Sequence, residues 1–214
     1  SGATLGAMPV AKDAQIPLVS YASTSPALSD ADDDGYLWRV VPADTFFSTG
    51  VADLVDSQNV HGYNSAIIYI QGDYFEDSAM AFKDSWEERQ YEVCNLQGIQ
   101  VGQDDFSEEV DNIESDGCDN VVIFSYLEEM VGIIEEIRDQ NMDIGIFGGA
   151  FVDPEDFVNS FEDVDDVDGV YTVDWPRWDV HNPAVRKHYD DECNNRSSSC
   201  DDYIYHYEAY DAVN

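Results

Sequence analysis

From Ser65 to Val173 short apolar runs alternate with longer amphipathic ones, and this alternation restricts the fold more than any other feature of the chain. Residues 65–70 (SAIIYI), 91–97, 120–124 (NVVIF), 143–147 and 169–173 have the length and β-branched content of buried strands. Residues 76–90, 105–115, 128–140 and, more briefly, 154–161 read as helices between them. In the third of these Met130, Ile133, Ile134 and Ile137 share one face. Strands separated by helices of this length imply a parallel sheet covered on both faces and joined by right-handed crossovers. In such sheets ligands sit beyond the carboxyl ends of the strands.

The flanks follow the same grammar less completely. Residues 3–14 place Leu5, Met8 and Val10 in a broadly helical pattern ending near Gln15. Residues 16–21 (IPLVSY) and 36–41 (YLWRVV) read as strands, with a polar loop at 22–26 and an Asp-rich loop between them, and 44–56 reads as a helix. Beyond Trp175 the chain turns polar through residue 202, with Pro176 and Pro183 opposing a long helix at the start, and an aromatic helical pattern resumes over 203–213.

Charge narrows the partners. Asp and Glu number 46 against nine Lys and Arg, a formal net charge of −37. Such a surface repels phosphate backbones and anionic head groups, so neither nucleic acid nor a membrane surface is an expected partner. The acidic stretches 30–34, 162–168 and 190–192 are spread between apolar runs, as on a solvated surface adapted to high salt, and a saline habitat is the expectation. No apolar run approaches the roughly 18 residues of a membrane span, and no signal-like segment opens the chain. The expectation is a removed signal or a beginning inside a longer protein.

Four cysteines, Cys94, Cys118, Cys193 and Cys200, form no C-x-x-C pair. Cys193 and Cys200 flank a polar loop that suits a short disulfide, and Cys94 with Cys118 is a candidate for a second; four unpaired thiols are the alternative. An even count favours an oxidising compartment. Asn195-Arg196-Ser197 is a glycosylation sequon, relevant only in a host that glycosylates secreted proteins.

Several motifs in order resemble the type I periplasmic binding-protein family, in particular its branched-chain amino-acid binding group and the related receptor ligand-binding domains. They are residues 16–28 (IPLVSYASTSPAL), 38–44 (WRVVPAD), 66–69 followed by Asp73-Tyr74, 104–107, 120–124, Phe147-Gly148-Gly149, Gly169-Val170-Tyr171 and 207–213 (YEAYDAV). The resemblance implies an α/β fold of two Rossmann-like lobes with parallel sheets, the first lobe incomplete. Residues 1–63 plus 176–214 would belong to the first lobe and 64–175 to the second, with crossovers near 62–65 and 174–178. The implied activity is extracellular or periplasmic capture of a small carboxylate-bearing ligand, an amino acid or related organic acid, in an inter-lobe cleft that closes on it. The implied partner is a membrane transporter permease or, for a sensor domain, a receptor partner, with any lipid anchor on a segment outside this sequence. No cofactor is implied.

Site residues follow the same matches. Ala22, Ser23 and Thr24, in a small-residue turn after a strand, match the family's carboxylate-binding turn, where backbone N–H groups and a hydroxyl donate to the ligand. Ser1 matches another carboxylate-binding serine. Tyr74 and Tyr126 match positions that wall the ligand, offering a flat apolar face with one hydroxyl; Tyr205 is a weaker match. Amino-acid binders of the group place an acid after Phe147-Gly148-Gly149 to pair with the ligand ammonium. This chain has Ala150 there, followed by Phe151, and Asp153 is the nearest substitute. An unpaired buried ammonium is costly, so an apolar or aromatic acid rivals a zwitterionic amino acid as ligand.

Other readings are weaker. No G-x-S-x-G elbow, Walker loop or G-x-G-x-x-G is present, and carboxylates are too abundant for any pair to signal a catalytic dyad, so no enzyme is expected. Asp30-Ala31-Asp32-Asp33-Asp34-Gly35 fits the start of a calcium loop, but the twelfth position is Val41 where a bidentate Glu is needed. His181, His188, Cys193 and Cys200 lack a zinc spacing, and no metal site is expected.

Overall fold

The computed structural model describes residues 1–58, 61–72, 74–149 and 154–173. These divide into two compact units, one built on Ser1–Ala43 and the other on Asp44–Asp174.

In the first unit, helix α1 (Gly2–Ala14) ends at Gln15, whose left-handed backbone (φ 55°) returns its N–H to the carbonyls of Ala11 and Lys12. Two short strands follow, β1 (Leu18–Ser20) and β2 (Leu37–Arg39), each three residues where six apolar-rich positions suggested more. They pair in parallel, Leu18 with Leu37, Val19 with Trp38 and Ser20 with Arg39. The chain between them includes a 3-10 turn, Pro26–Leu28, with Ser25 Oγ accepting from Ala27 N–H at its start.

The second unit opens with α2 (Asp44–Gln58) and continues as the expected alternation: β3 (Asn64–Ile70), α3 (Tyr74–Glu88), β4 (Glu92–Ile99), α4 (Ser107–Ser115), β5 (Asn120–Phe124), α5 (Leu127–Asp139), β6 (Gly145–Gly148), α6 (Pro154–Asn159), a 3-10 turn at Val164–Val167, and β7 (Val170–Thr172). The five strands form one parallel sheet in the order β4-β3-β5-β6-β7. All five residues of β5 are buried, which requires helices on both faces. The helix stripes supply the cover: Phe75, Ala79, Phe82 and Trp86 from α3, Val110 and Ile113 from α4, and Met130, Ile133, Ile134 and Ile137 from α5, all in one core. Trp86 is fully buried, and its indole N–H donates to Tyr63 O at 3.1 Å, which meets its one polar need.

Helix α2, which the sequence expectation placed with the first lobe, packs with the second unit. Its Phe47, Val51, Ala52 and Val55 join that core, Arg89 pairs with Asp53, and Tyr91 Oη donates to Asp56 Oδ1 at 3.0 Å. Cys94 and Cys118 form a disulfide joining β4 to the segment before β5. The β3–β4 register steps from Ser65–Val93 to Ala66–Asn95, so Cys94 is the extra residue of a bulge. Cys193, Cys200 and the sequon lie outside the described residues.

Candidate functional site

Two groups of the expected residues come together, one in each unit. In the first unit the register sets Ser20 beside Arg39 at the carboxyl ends of β1 and β2, and the turn 21–25 leaves from there. Hydroxyls organise it. Ser20 Oγ accepts from Ser23 N–H at 3.1 Å, Ser1 Oγ accepts from Ser25 N–H at 3.1 Å, and the hydroxyls of Thr4 and Ser23 share a 2.7 Å hydrogen bond. Ser1 therefore braces the backbone of this turn. Ser23 and Thr24 are buried, and Ala22 is half-buried. Thr24 is only 5% exposed, yet among the described residues its hydroxyl and N–H donate to no protein group; only its carbonyl is engaged, by Arg39. Donors left open in this way in a nearly buried turn suit an anionic ligand.

Arg39 holds the other side of the turn. One of its terminal nitrogens donates to Thr24 O at 3.2 Å and Ser25 O at 2.9 Å, and the other donates to the Ser29 hydroxyl. A cavity of about 330 Å³ opens beside it, lined by Ser20, Leu28, Ser29, Asp33, Leu37 and Arg39.

In the second unit the chain leaves β3 toward β4, then returns across it to β5, so the strand order reverses at the β3–β5 boundary. A crevice at the carboxyl ends forms at such a reversal. Tyr74 opens α3 directly after β3, and Tyr126 occupies the N-cap position of α5 after β5. The buried ring of Phe75 lies between them edge-to-face, 5.2 Å from Tyr74 and 4.8 Å from Tyr126. Tyr126 is 49% exposed, so its ring is presented rather than consumed by the core. At the end of β6, Gly149 N–H donates to Ile123 O at 2.8 Å, and a Cβ on Gly149 would lie 2.5 Å from the Phe124 ring. Ala150 and Asp153, like Tyr205, lie outside the described residues.

The acidic loop behaves as a loop. Asp33 accepts from Gly35 N–H at 3.0 Å and Leu37 N–H at 2.9 Å, and these backbone donors hold its carboxyl below the usual carboxylate range. Lys12 bridges Asp32 and Asp34 at 3.0 and 3.1 Å, and those partners raise its ammonium pKa. Among the described residues no group of three or more His, Cys, Asp and Glu is placed to hold a metal.

Sequence reasoning missed Arg39 and Glu129 as organising residues. Arg39 was legible in principle, because it and Lys12 are the only cations in residues 1–43. Glu129 gave no such signal among so many acids. It is 3% exposed on the first turn of α5, and its Oε1 accepts from Gly102 N–H at 2.8 Å, tying the loop after β4 to that turn.

Comparison with known proteins identifies the family and the fold. The model of the receptor family ligand binding region matches residues 1–214. Metabotropic glutamate receptor 4 of Rattus norvegicus is 30% identical over 132 residues, 59% of this chain and 14% of the receptor. Among solved structures, a protein described as a branched-chain amino acid ABC transporter from Rhodospirillum rubrum superposes with a TM-score of 0.78 at 18% identity, over 98% of this chain and 58% of that one. A leucine-binding protein from Thermotoga maritima gives a TM-score of 0.71 at 20% identity with the same coverages. The chain thus spans a little over half the length of its bacterial structural neighbours and about a seventh of the receptor. Its parallel α/β architecture is that of the type I periplasmic binding proteins, a fold of ligand-binding proteins and receptors rather than enzymes, and the chain belongs to the receptor family ligand binding region.

Proposed function

We propose that this chain is part of an extracellular solute-binding protein that captures a small carboxylate-bearing molecule for uptake by an ABC-type transporter. The observation that carries the reading is Thr24, nearly buried in the turn after β1, with its N–H and hydroxyl donating to no protein group among the described residues. The ligand carboxylate binds at the Ala22-Ser23-Thr24 turn, which Ser1 braces. In the second unit the Tyr74, Phe75 and Tyr126 rings at the strand reversal offer an apolar surface suited to a ligand's body. The lobes part near residue 43 rather than at the expected 63, because α2 belongs with the second unit. Ala150, where amino-acid binders of the family carry an acid, favours a simple organic acid over a zwitterion.

A second reading, the ligand-binding sensor domain of a signalling receptor, is favoured by the 30% identity to metabotropic glutamate receptor 4. Both readings place the module outside the cytoplasm, with a permease or a receptor partner.

A thermal-shift screen of the full chain in high salt tests the binding claim. Matched probes are L-leucine and 4-methylpentanoate, which differ by the ammonium, together with L-glutamate and phenylacetate. A ligand at about 100 times its Kd adds roughly 2.7 kcal/mol of stability. The expected result is a shift with 4-methylpentanoate or phenylacetate that L-leucine does not exceed. A shift with L-leucine alone would remove the Ala150 argument, and no shift with any carboxylate would remove the binding reading.

A further inference from the structure

We infer that Arg39 is the positioning residue of the binding turn, and that its positive charge, unpaired among the described residues, lets so acidic a protein accept an anionic ligand there. The inference rests on the carboxylate-binding reading of Ala22–Thr24 and deepens it. A net charge of −37 surrounds any carboxylate approaching this protein with repulsion, so the site needs a local positive charge. Residues 1–43 hold two cations. Lys12 is neutralised by Asp32 and Asp34. Arg39 differs: among the described residues its hydrogen-bond partners are the Thr24 and Ser25 carbonyls and the Ser29 hydroxyl, all neutral, and it joins no ion pair there. Asp33 lines the same cavity, but its oxygens accept from Gly35 and Leu37 N–H rather than from the guanidinium.

The geometry gives Arg39 two effects through one fork. By holding two successive carbonyls it fixes the Thr24–Ser25 and Ser25–Pro26 peptide planes, which restrains the backbone that carries the Thr24 hydroxyl and the Ser25 N–H bonded to Ser1 Oγ. By its charge, with no carboxylate bonded to it among the described residues, it supplies a local positive potential beside the turn. A lysine preserves the charge but not the planar fork. A glutamine preserves some hydrogen bonding without the charge.

The test uses the full chain with Arg39→Gln and Arg39→Lys and two readouts. The first is amide hydrogen exchange of the ligand-free protein at Ser23 and Ser25, whose N–H groups are bonded to Ser20 Oγ and Ser1 Oγ. The second is the affinity ratio between matched acid and amide probes, 4-methylpentanoate against 4-methylpentanamide and L-leucine against L-leucinamide. Arg39→Gln is expected to speed exchange at Ser23 and Ser25 while β5 amides stay unchanged, and to lower the acid-over-amide preference about tenfold, as loss of one nearby charge would. Arg39→Lys is expected to recover most of the preference but not the exchange protection. Unchanged exchange in Arg39→Gln overturns the positioning role, whether or not any probe binds. An unchanged acid-over-amide ratio overturns the charge role. Wild-type protein that binds none of the probes refutes the proposed function instead, and the exchange data still decide whether Arg39 orders the turn.

Discussion

At the scale of single residues, the site depends on small side chains and on what braces them. The turn at 22–25 is held by three serine hydroxyls and one guanidinium, and its open donors belong to Thr24. Sequence marked Ser1, Ala22, Ser23 and Thr24 through family order, but not the bracing, because a hydroxyl's partner depends on tertiary placement. Gly149 shows the same dependence near the second group. Its missing side chain lets the end of β6 lie against Phe124, with no room for a Cβ. Gly149→Ala is expected to destabilise the second unit by about 1–3 kcal/mol, the range for overpacking a filled site. Urea denaturation followed by tryptophan fluorescence checks it, since Trp86 is fully buried in that core. A midpoint equal to wild type would show that the Phe124 ring has room to yield.

At the scale of elements, the alternation of residues 65–173 was legible because apolar period and length both pointed to buried strands and crossover helices. Ends were less legible. Helix α3 starts at Tyr74, two residues before the expected start, and β4 runs to Ile99 through a bulge at Cys94 that no propensity signals. The allegiance of α2 was not legible, because its apolar face says that it packs but not on what. The Cys94–Cys118 bond was one of several pairings that spacing allowed, and the fold selects it by bringing the β4 bulge beside the segment before β5. Replacing both cysteines by serine is expected to cost about 2–4 kcal/mol, as for removal of a bond closing a loop of this order. Denaturant titration measures the cost, and a non-reduced peptide map should show the two cysteines linked. A map with Cys94 or Cys118 joined elsewhere would contradict the structure at that edge of the sheet.

At the scale of the whole molecule, the charge opposes a nucleic-acid partner without naming a ligand, and fold alone leaves uptake and sensing equal. The surfaces proposed to bind are the turn with open Thr24 donors in one unit and the aromatic cluster at the strand reversal of the other. The most direct measurement is a calorimetric titration of the best acid from the screen into wild type, Thr24→Ala and Tyr126→Ala. It should be made in about 1 M salt, where a Debye length of about 3 Å removes long-range repulsion. Loss of one hydrogen bond to a charged group, worth about 1.5–3 kcal/mol, should weaken Thr24→Ala by roughly ten- to hundredfold. Tyr126→Ala should weaken binding through lost ring contact while the melting temperature holds, because that ring is half exposed. Wild-type affinity in both variants would contradict the assignment of the turn and the crevice as the binding surfaces.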